Sequence, residues 1–208
     1  MIKHDLSHIM NHMNIEGRTS ARQLQGLIVC LPKITHPKNV EDYRPLTLLN
    51  TDYKILARII GNRIRPCLAA IIHPNQHCGV QGNSAFKAVA TVREAVAHAE
   101  VTNTPLCIVS IDFSEAFGKI SHSYLLAMLY AHGFNAWFQQ RILGMYDKAA
   151  SEVQINGCRS SPIPIHNSIR QGCPLSMQLF ALCLNPLIHT LERELKGIQI
   201  GRVMQKRR

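Results

Sequence analysis

The sequence contains no Cys-x-x-Cys pair, no two adjacent aspartates, and no aspartate at all after Asp147. No uninterrupted apolar run reaches the roughly 18 residues that a membrane span requires. The first residues, MIKHDLSHIMNHMNIEG, are polar and histidine-rich and lack the apolar centre of a signal peptide. No internal repeat, low-complexity tract or Gly/Ser linker is found either. With neither a span-length apolar run nor a leader-like start in this sequence, the expectation is a soluble intracellular protein, cytoplasmic or nuclear. They also leave the seven cysteines without paired spacing, which favours buried reduced thiols over disulfides. His73, His77 and Cys78 lie close enough to raise a zinc site, but no second ligand pair of metal spacing follows them.

Acidic residues are scarce. Against 13 Asp+Glu stand 23 Lys+Arg, a net charge of +10 over 208 residues. Such an excess favours a polyanionic partner, nucleic acid before an anionic membrane. The 46% hydrophobic content is ordinary for a folded chain with a substantial core.

Residues 24–31, LQGLIVCL, read as a strand, and YRPLTLL at 43–49 as a second that pairs with it as a hairpin. Asn50 or Thr51 then caps a helix, DYKILARIIGNRI, which Pro66 is expected to end or kink. Residues 84–100 carry Phe86, Val89, Val92 and Val96 at helical spacing. An apolar run, Leu106 to Ile111, reads as a strand that ends on Asp112. Ser121 or Ser123 caps the next helix and Gly133 stops it, and NAWFQQRILGMYDKA continues as another helix. Asn156-Gly157 marks a tight hairpin. PLSMQLFALCLNPLIHTLEREL reads as a buried helix interrupted near Pro186. The order is α+β, without a regular βαβ alternation.

Three segments carry chemistry. Asp112, at the end of a strand, reads alone as a turn-former or cap; taken with its neighbours, a carboxylate at the solvent edge of a buried sheet also suits a Mg²⁺ ion, which takes oxygen ligands and keeps several waters. The following FSEAF segment can turn around a triphosphate, with Phe117 as a flat wall beside a sugar or, equally, as core packing. In IRQGCPLS, Gly172 permits close backbone approach and Gln171 offers both donor and acceptor. Lys33 and Arg44, on facing strands of the hairpin, suit a triphosphate or form a solvated face.

Together the blocks LPK…EDYRPLTLLNTDYKILARIIGNRI, NQHCGVQGNSAFKAV, VSIDFSEAFGKISH and SIRQGCPLSMQLFALCLNPL resemble, in type and order, the reverse transcriptases of non-LTR (LINE-type) retrotransposons. The resemblance implies the fingers and part of the palm of a right-hand polymerase, with the thumb absent. Its divisions are an N-terminal extension over 1–23, a fingers-like region over 24–103 and a partial palm over 104–208, with some interleaving. It implies Asp112 as the first metal-binding aspartate, with the Phe113 carbonyl beside it as a Mg²⁺ ligand. Phe117 becomes the aromatic gate against a ribose 2′-hydroxyl, Lys33 and Arg44 the triphosphate cations, and Gln171 and Gly172 the loop at the incoming nucleotide. Lys54, Arg58, Arg63, Arg65 and Arg170 become contacts to nucleic acid. The implied chemistry is two-metal nucleotidyl transfer on an RNA template and DNA primer with deoxynucleoside triphosphates.

The family's later aromatic-Ala-Asp-Asp motif is not in this sequence. Gly118 stands where the family has a second Asp, and Asn83 where a basic residue is common. The expectation is therefore a truncated polymerase domain, inactive alone and poorly soluble because the strand ending at Asp112 lacks its neighbour. The alternative is a non-catalytic nucleic-acid-binding remnant of a retroelement.

Overall fold

A computed structural model describes residues 19–197 continuously, preceded by His4, Ser7, His8, Met10, Asn11 and residues 15–17. Ser20 starts it with a capping box, its hydroxyl accepting the Gln23 N–H at 3.3 Å while Gln23 Oε1 accepts the Ser20 N–H at 3.1 Å. The single turn α1 (Ala21–Leu24) leads directly into β1 (Gln25–Pro32). β1 and β2 (Tyr43–Leu49) form the expected antiparallel hairpin, from Gly26 opposite Leu49 to Pro32 opposite Tyr43.

The other edge of β1 pairs in parallel with β3 (Ala150–Ile155), a contact that local sequence does not announce. Asn156 and Gly157, at φ 50° and 81°, make the tight turn from β3 into β4 (Cys158–Arg159). β5 (Ile163–Pro164) also pairs with β3. The sheet order is β2-β1-β3-β4.

The buried core is largely helical, joined by Leu49 from the end of β2. α2 (Thr51–Ile71) buries Tyr53, Ala57, Ile60, Ile64 and Leu68, residues that recur at helical spacing. Of the two outcomes expected at Pro66, an end is ruled out, because the helix runs through it. One backbone hydrogen bond is lost there, but the buried stripe continues from Ile64 to Leu68 and holds the helix together. α3 is Ala85–Thr102, α4 His122–Ala131 and α5 Ala136–Gly144. Ser121 and Asn135 cap the last two, accepting N–H groups of Tyr124 at 3.1 Å and Phe138 at 2.9 Å. α6 (Ser176–Glu194) supplies Leu179, Leu182 and Cys183 to the same core as Leu125, Leu129 and Tyr146. It too continues through its proline, Pro186.

Other expectations fail as well. Residues 104–113 form no strand, and Ile108, Val109 and Ile111 are 58%, 74% and 66% exposed. The run has strand composition, but among the described residues nothing pairs with it, and an unpaired ladder gains no hydrogen bonds. α3 forms where expected, yet Phe86, Val89 and Val92 of its apolar stripe are exposed. The cysteines also differ from expectation: all seven are free thiols, but only Cys173 and Cys183 are buried. Burial pushes the Cys183 thiol up to about 12, so it stays protonated. No helix among the described residues is long and apolar enough to cross a membrane.

Candidate nucleotide and nucleic-acid site

The site grows from the hairpin turn. Asp42 Oδ2 accepts the N–H groups of Lys38 at 2.8 Å and Asn39 at 2.9 Å. These bonds, Asn39's foremost, hold its carboxyl below the usual range. Lys33 continues the ladder one residue past β1, its N–H on the Asp42 carbonyl at 2.7 Å and its Nζ on the Glu41 carbonyl at 2.7 Å. Arg44 lies opposite Leu31, which places it diagonal to Lys33 on one face of the hairpin. Both cations are exposed.

The Arg170–Cys173 turn packs across the middle of β2. Gly172 has φ 96°, and a Cβ there would lie 2.5 Å from the Thr47 carbonyl oxygen. Only glycine fits both the left-handed backbone and the approach. Gln171 beside it is exposed. The same turn meets the FSEAF segment from the other side: the Ile169 N–H donates to the Phe117 carbonyl at 2.9 Å, and the Ser168 N–H to that of Ile120 at 2.8 Å. The Phe117 ring is partly buried against Phe180, centroids 4.8 Å apart. Thus the hairpin, the Gln171–Gly172 turn and the Phe117 segment, far apart in sequence, meet at one place.

Asp112 and Phe113 are exposed, on the approach to the turn in which Glu115 takes φ 55° and Lys119 Nζ donates to Ser114 Oγ at 3.0 Å. Asp112 belongs to no group of three ligating side chains within reach of one ion among the described residues. One carboxylate and a neighbouring carbonyl are a fragment of a Mg²⁺ site and do not fit a two-metal centre.

The four basic residues of α2 are all exposed but do not share one face. At about 100° per residue, Lys54, Arg58 and Arg65 fall within about 40° of each other, while Arg63 lies about 180° round from Lys54. Arg63 instead lines a cavity of about 530 Å³ between α2 and α5, with Trp137 and Arg141, whose guanidinium stacks 4.5 Å above the Trp137 ring. Arg170 is a correction of a different kind. It is 3% exposed, donates from Nη2 to the Leu24 carbonyl, and lies 5.5 Å above the Tyr53 ring. Its cation braces the start of β1 from inside and does not reach a nucleic-acid backbone. Its only signal in sequence was its place before the Gln-Gly turn, which says nothing of direction.

Residues 36–204 match the family model described as reverse transcriptase (RNA-dependent DNA polymerase). The chain is 32% identical over 194 residues to a protein of Xenopus laevis described as the transposon TX1 uncharacterized 149 kDa protein, covering 93% of this chain and 15% of that one. It is 24% identical over 173 residues to the Pol polyprotein of the type-2 retrotransposable element R2DM of Drosophila melanogaster, covering 83% of this chain and 16% of that protein. A type-1 R2 element Pol polyprotein of Popillia japonica is 32% identical over 90 residues, 43% of this chain and 15% of its own length. The chain thus spans about 15% of the length of these relatives. Members of the family depend on divalent metal and bind template and nucleotides. The motifs met in sequence, the mixed α/β fold and the family match agree: this chain belongs to the reverse transcriptase family, as a domain of the kind found in the Pol proteins of non-LTR retrotransposons.

Proposed function

We propose that the chain forms the fingers (residues 24–103) and the base of the palm (from 104) of an RNA-directed DNA polymerase, and that it completes nucleotidyl transfer only with carboxylates from further polypeptide. The carrying observation is the convergence of three motifs on Gly172, which lies under β2 on one side and next to the Phe117 segment on the other. In this reading Lys33 and Arg44 grip the incoming triphosphate, Arg44 through paired hydrogen bonds. Gln171 and Gly172 bound the nucleotide, and the tethered Phe117 ring excludes a 2′-hydroxyl. Asp112, with the Phe113 carbonyl, contributes one part of a Mg²⁺ site. Lys54, Arg58 and Arg65 track the template backbone through salt-sensitive, sequence-blind contacts.

Primer extension on an RNA template with Mg²⁺ tests this. The chain alone is expected to extend nothing. A version joined to the segment that follows residue 197 in an R2-type relative is expected to extend, and Asp112→Asn in it to abolish extension without loss of binding. Extension that survives Asp112→Asn sinks the assignment. A second reading, binding without catalysis, is favoured by the exposed stripe of Lys54, Arg58 and Arg65 on a chain of net charge +10. It expects RNA binding that falls steeply with salt and is unchanged by Asp112→Asn, with no extension in either form.

A further inference from the structure

The chain leaves α2 at Ile71 and lays His73 against the last turns of α6. His73 is 4% exposed and held at three points. Its N–H donates to Asn185 Oδ1 at 2.8 Å, its Nδ1 accepts the Asn75 N–H at 3.1 Å, and its Nε2 lies 2.7 Å from Glu192 Oε2. His189, three residues before Glu192 and therefore on the same helix face, sets its ring edge-on to His73 with centroids 4.7 Å apart. One ligating atom from each of His73, His189 and Glu192 lies within 4.8 Å of the other two, the one such trio among the described residues. His77 and Cys78, the neighbours that sequence placed beside His73, are not part of it.

We propose that His73, His189 and Glu192 form a binding site for one zinc-class divalent ion, pinning the end of α2 to α6. Two imidazoles and a carboxylate are a Zn²⁺ donor set with a fourth position left to water, and imidazole does not suit Mg²⁺. The site is thus chemically distinct from anything built on Asp112. Tetrahedral bonds of about 2.0–2.1 Å hold donors roughly 3.3 Å apart. His73 and Glu192 must therefore part slightly, which the exposed Glu192 side chain allows, while His189 closes in.

The proton also moves. With the Asn75 N–H on Nδ1, the neutral His73 ring carries its proton on Nε2 and donates it to Glu192. An ion can bind Nε2 only once that proton has left, so Nδ1 takes up a proton in its place and the long Asn75 contact is given up, weakening ion binding by about tenfold. An outer layer holds the rest in place. Asn185 Nδ2 donates to the Ile71 carbonyl at 3.2 Å and to His132 Nε2 at 3.1 Å, while His132 Nδ1 donates to the Met128 carbonyl at 2.7 Å. Such supporting bonds orient ligands before the ion arrives.

The test uses the full chain, stripped with chelator and titrated with Co²⁺ as a coloured substitute, then with Zn²⁺. Expected are one Co²⁺ per chain with the visible absorption of a tetrahedral site, displacement by Zn²⁺, and a Tm raised by Zn²⁺. His189→Ala and Glu192→Ala, both at exposed positions, are expected to lose the absorption and the Zn²⁺-dependent Tm rise. His189→Gln, which keeps bulk and helix propensity, is the second variant should alanine disturb the helix. The eleven histidines and seven cysteines include other possible ligands, His4 and His8 among them. A tetrahedral signal that survives the variants therefore overturns the proposal. So does a chain that binds neither ion, which leaves the trio as a histidine–carboxylate contact alone.

Discussion

Two apolar runs of the same kind have opposite fates in this molecule. Leu24–Leu31 and Leu106–Ile111 are both rich in Leu, Ile, Val and Cys, and both read as strands. The first becomes β1, with β2 on one edge and β3 on the other. Among the described residues the second has no ladder, and Ile108, Val109 and Ile111 are exposed. Composition is shared, so the difference lies in partners. A strand is a property of a pair, and an apolar run without a partner gains no ladder.

The comparison breaks first at Gly172, which lies on the paired side. Gly172→Val meets the Thr47 carbonyl and an unfavourable φ together, and is expected to cost about 3 kcal/mol or more or to prevent folding. Urea denaturation measures this, and a variant within about 1 kcal/mol of wild type would mean that the turn does not rest on β2. Next is Gly26, inside β1. A Cβ there meets the Thr47 and Ser151 side chains at 2.6 and 2.8 Å, so Gly26→Val is expected to cost about 1–3 kcal/mol on the same assay, as the two side chains give way.

On the unpaired side the expectation reverses. Val109→Lys is expected to change stability by no more than about 0.5 kcal/mol while raising the soluble fraction on expression. A large loss of stability there would show that the run has a partner after all.

The smallest effect concerns pH. Burial foremost, with Arg170 and His166 nearby, holds the His122 imidazole below the usual histidine range, against the opposing pull of the Ser168 carbonyl. The unfolded chain therefore takes up the proton first. The contribution is full above about pH 6.5 and is lost as pH falls through the folded value. Urea midpoints between about pH 7 and 5 are expected to decline less in His122→Gln than in wild type.

What was legible in the sequence was local. Ser121 caps α4, Asn156-Gly157 turns the β3–β4 hairpin, and the spaced apolar residues of α2 face the core. The polar Gln-Gly break alone marks Gly172 for close backbone approach, and the Thr47 carbonyl is what it approaches. What was not legible depended on distant residues. The parallel β1–β3 pairing has no local sign. The inward turn of Arg170 depends on Leu24 and Tyr53. Pro66 and Pro186 look like helix breaks until the surrounding helix is seen to be held elsewhere, by a buried stripe in α2 and by the His73–Glu192 contact beyond Pro186 in α6. The site followed the same rule: each motif was readable alone, and their meeting point was not.

The β1–β3 register has a consequence for synthesis. Gln25 pairs with Ala150, about 125 residues later in the chain. At roughly 5–20 residues per second, the ribosome takes about 6–25 s to supply that partner. The β1–β2 hairpin, needing only its own first 49 residues, is complete long before then, and one edge of β1 waits open. Closing so long a loop is slow compared with forming the hairpin. Nascent chains are therefore most exposed to mispairing during that interval, and slower translation between Leu49 and Ala150 would lengthen the wait.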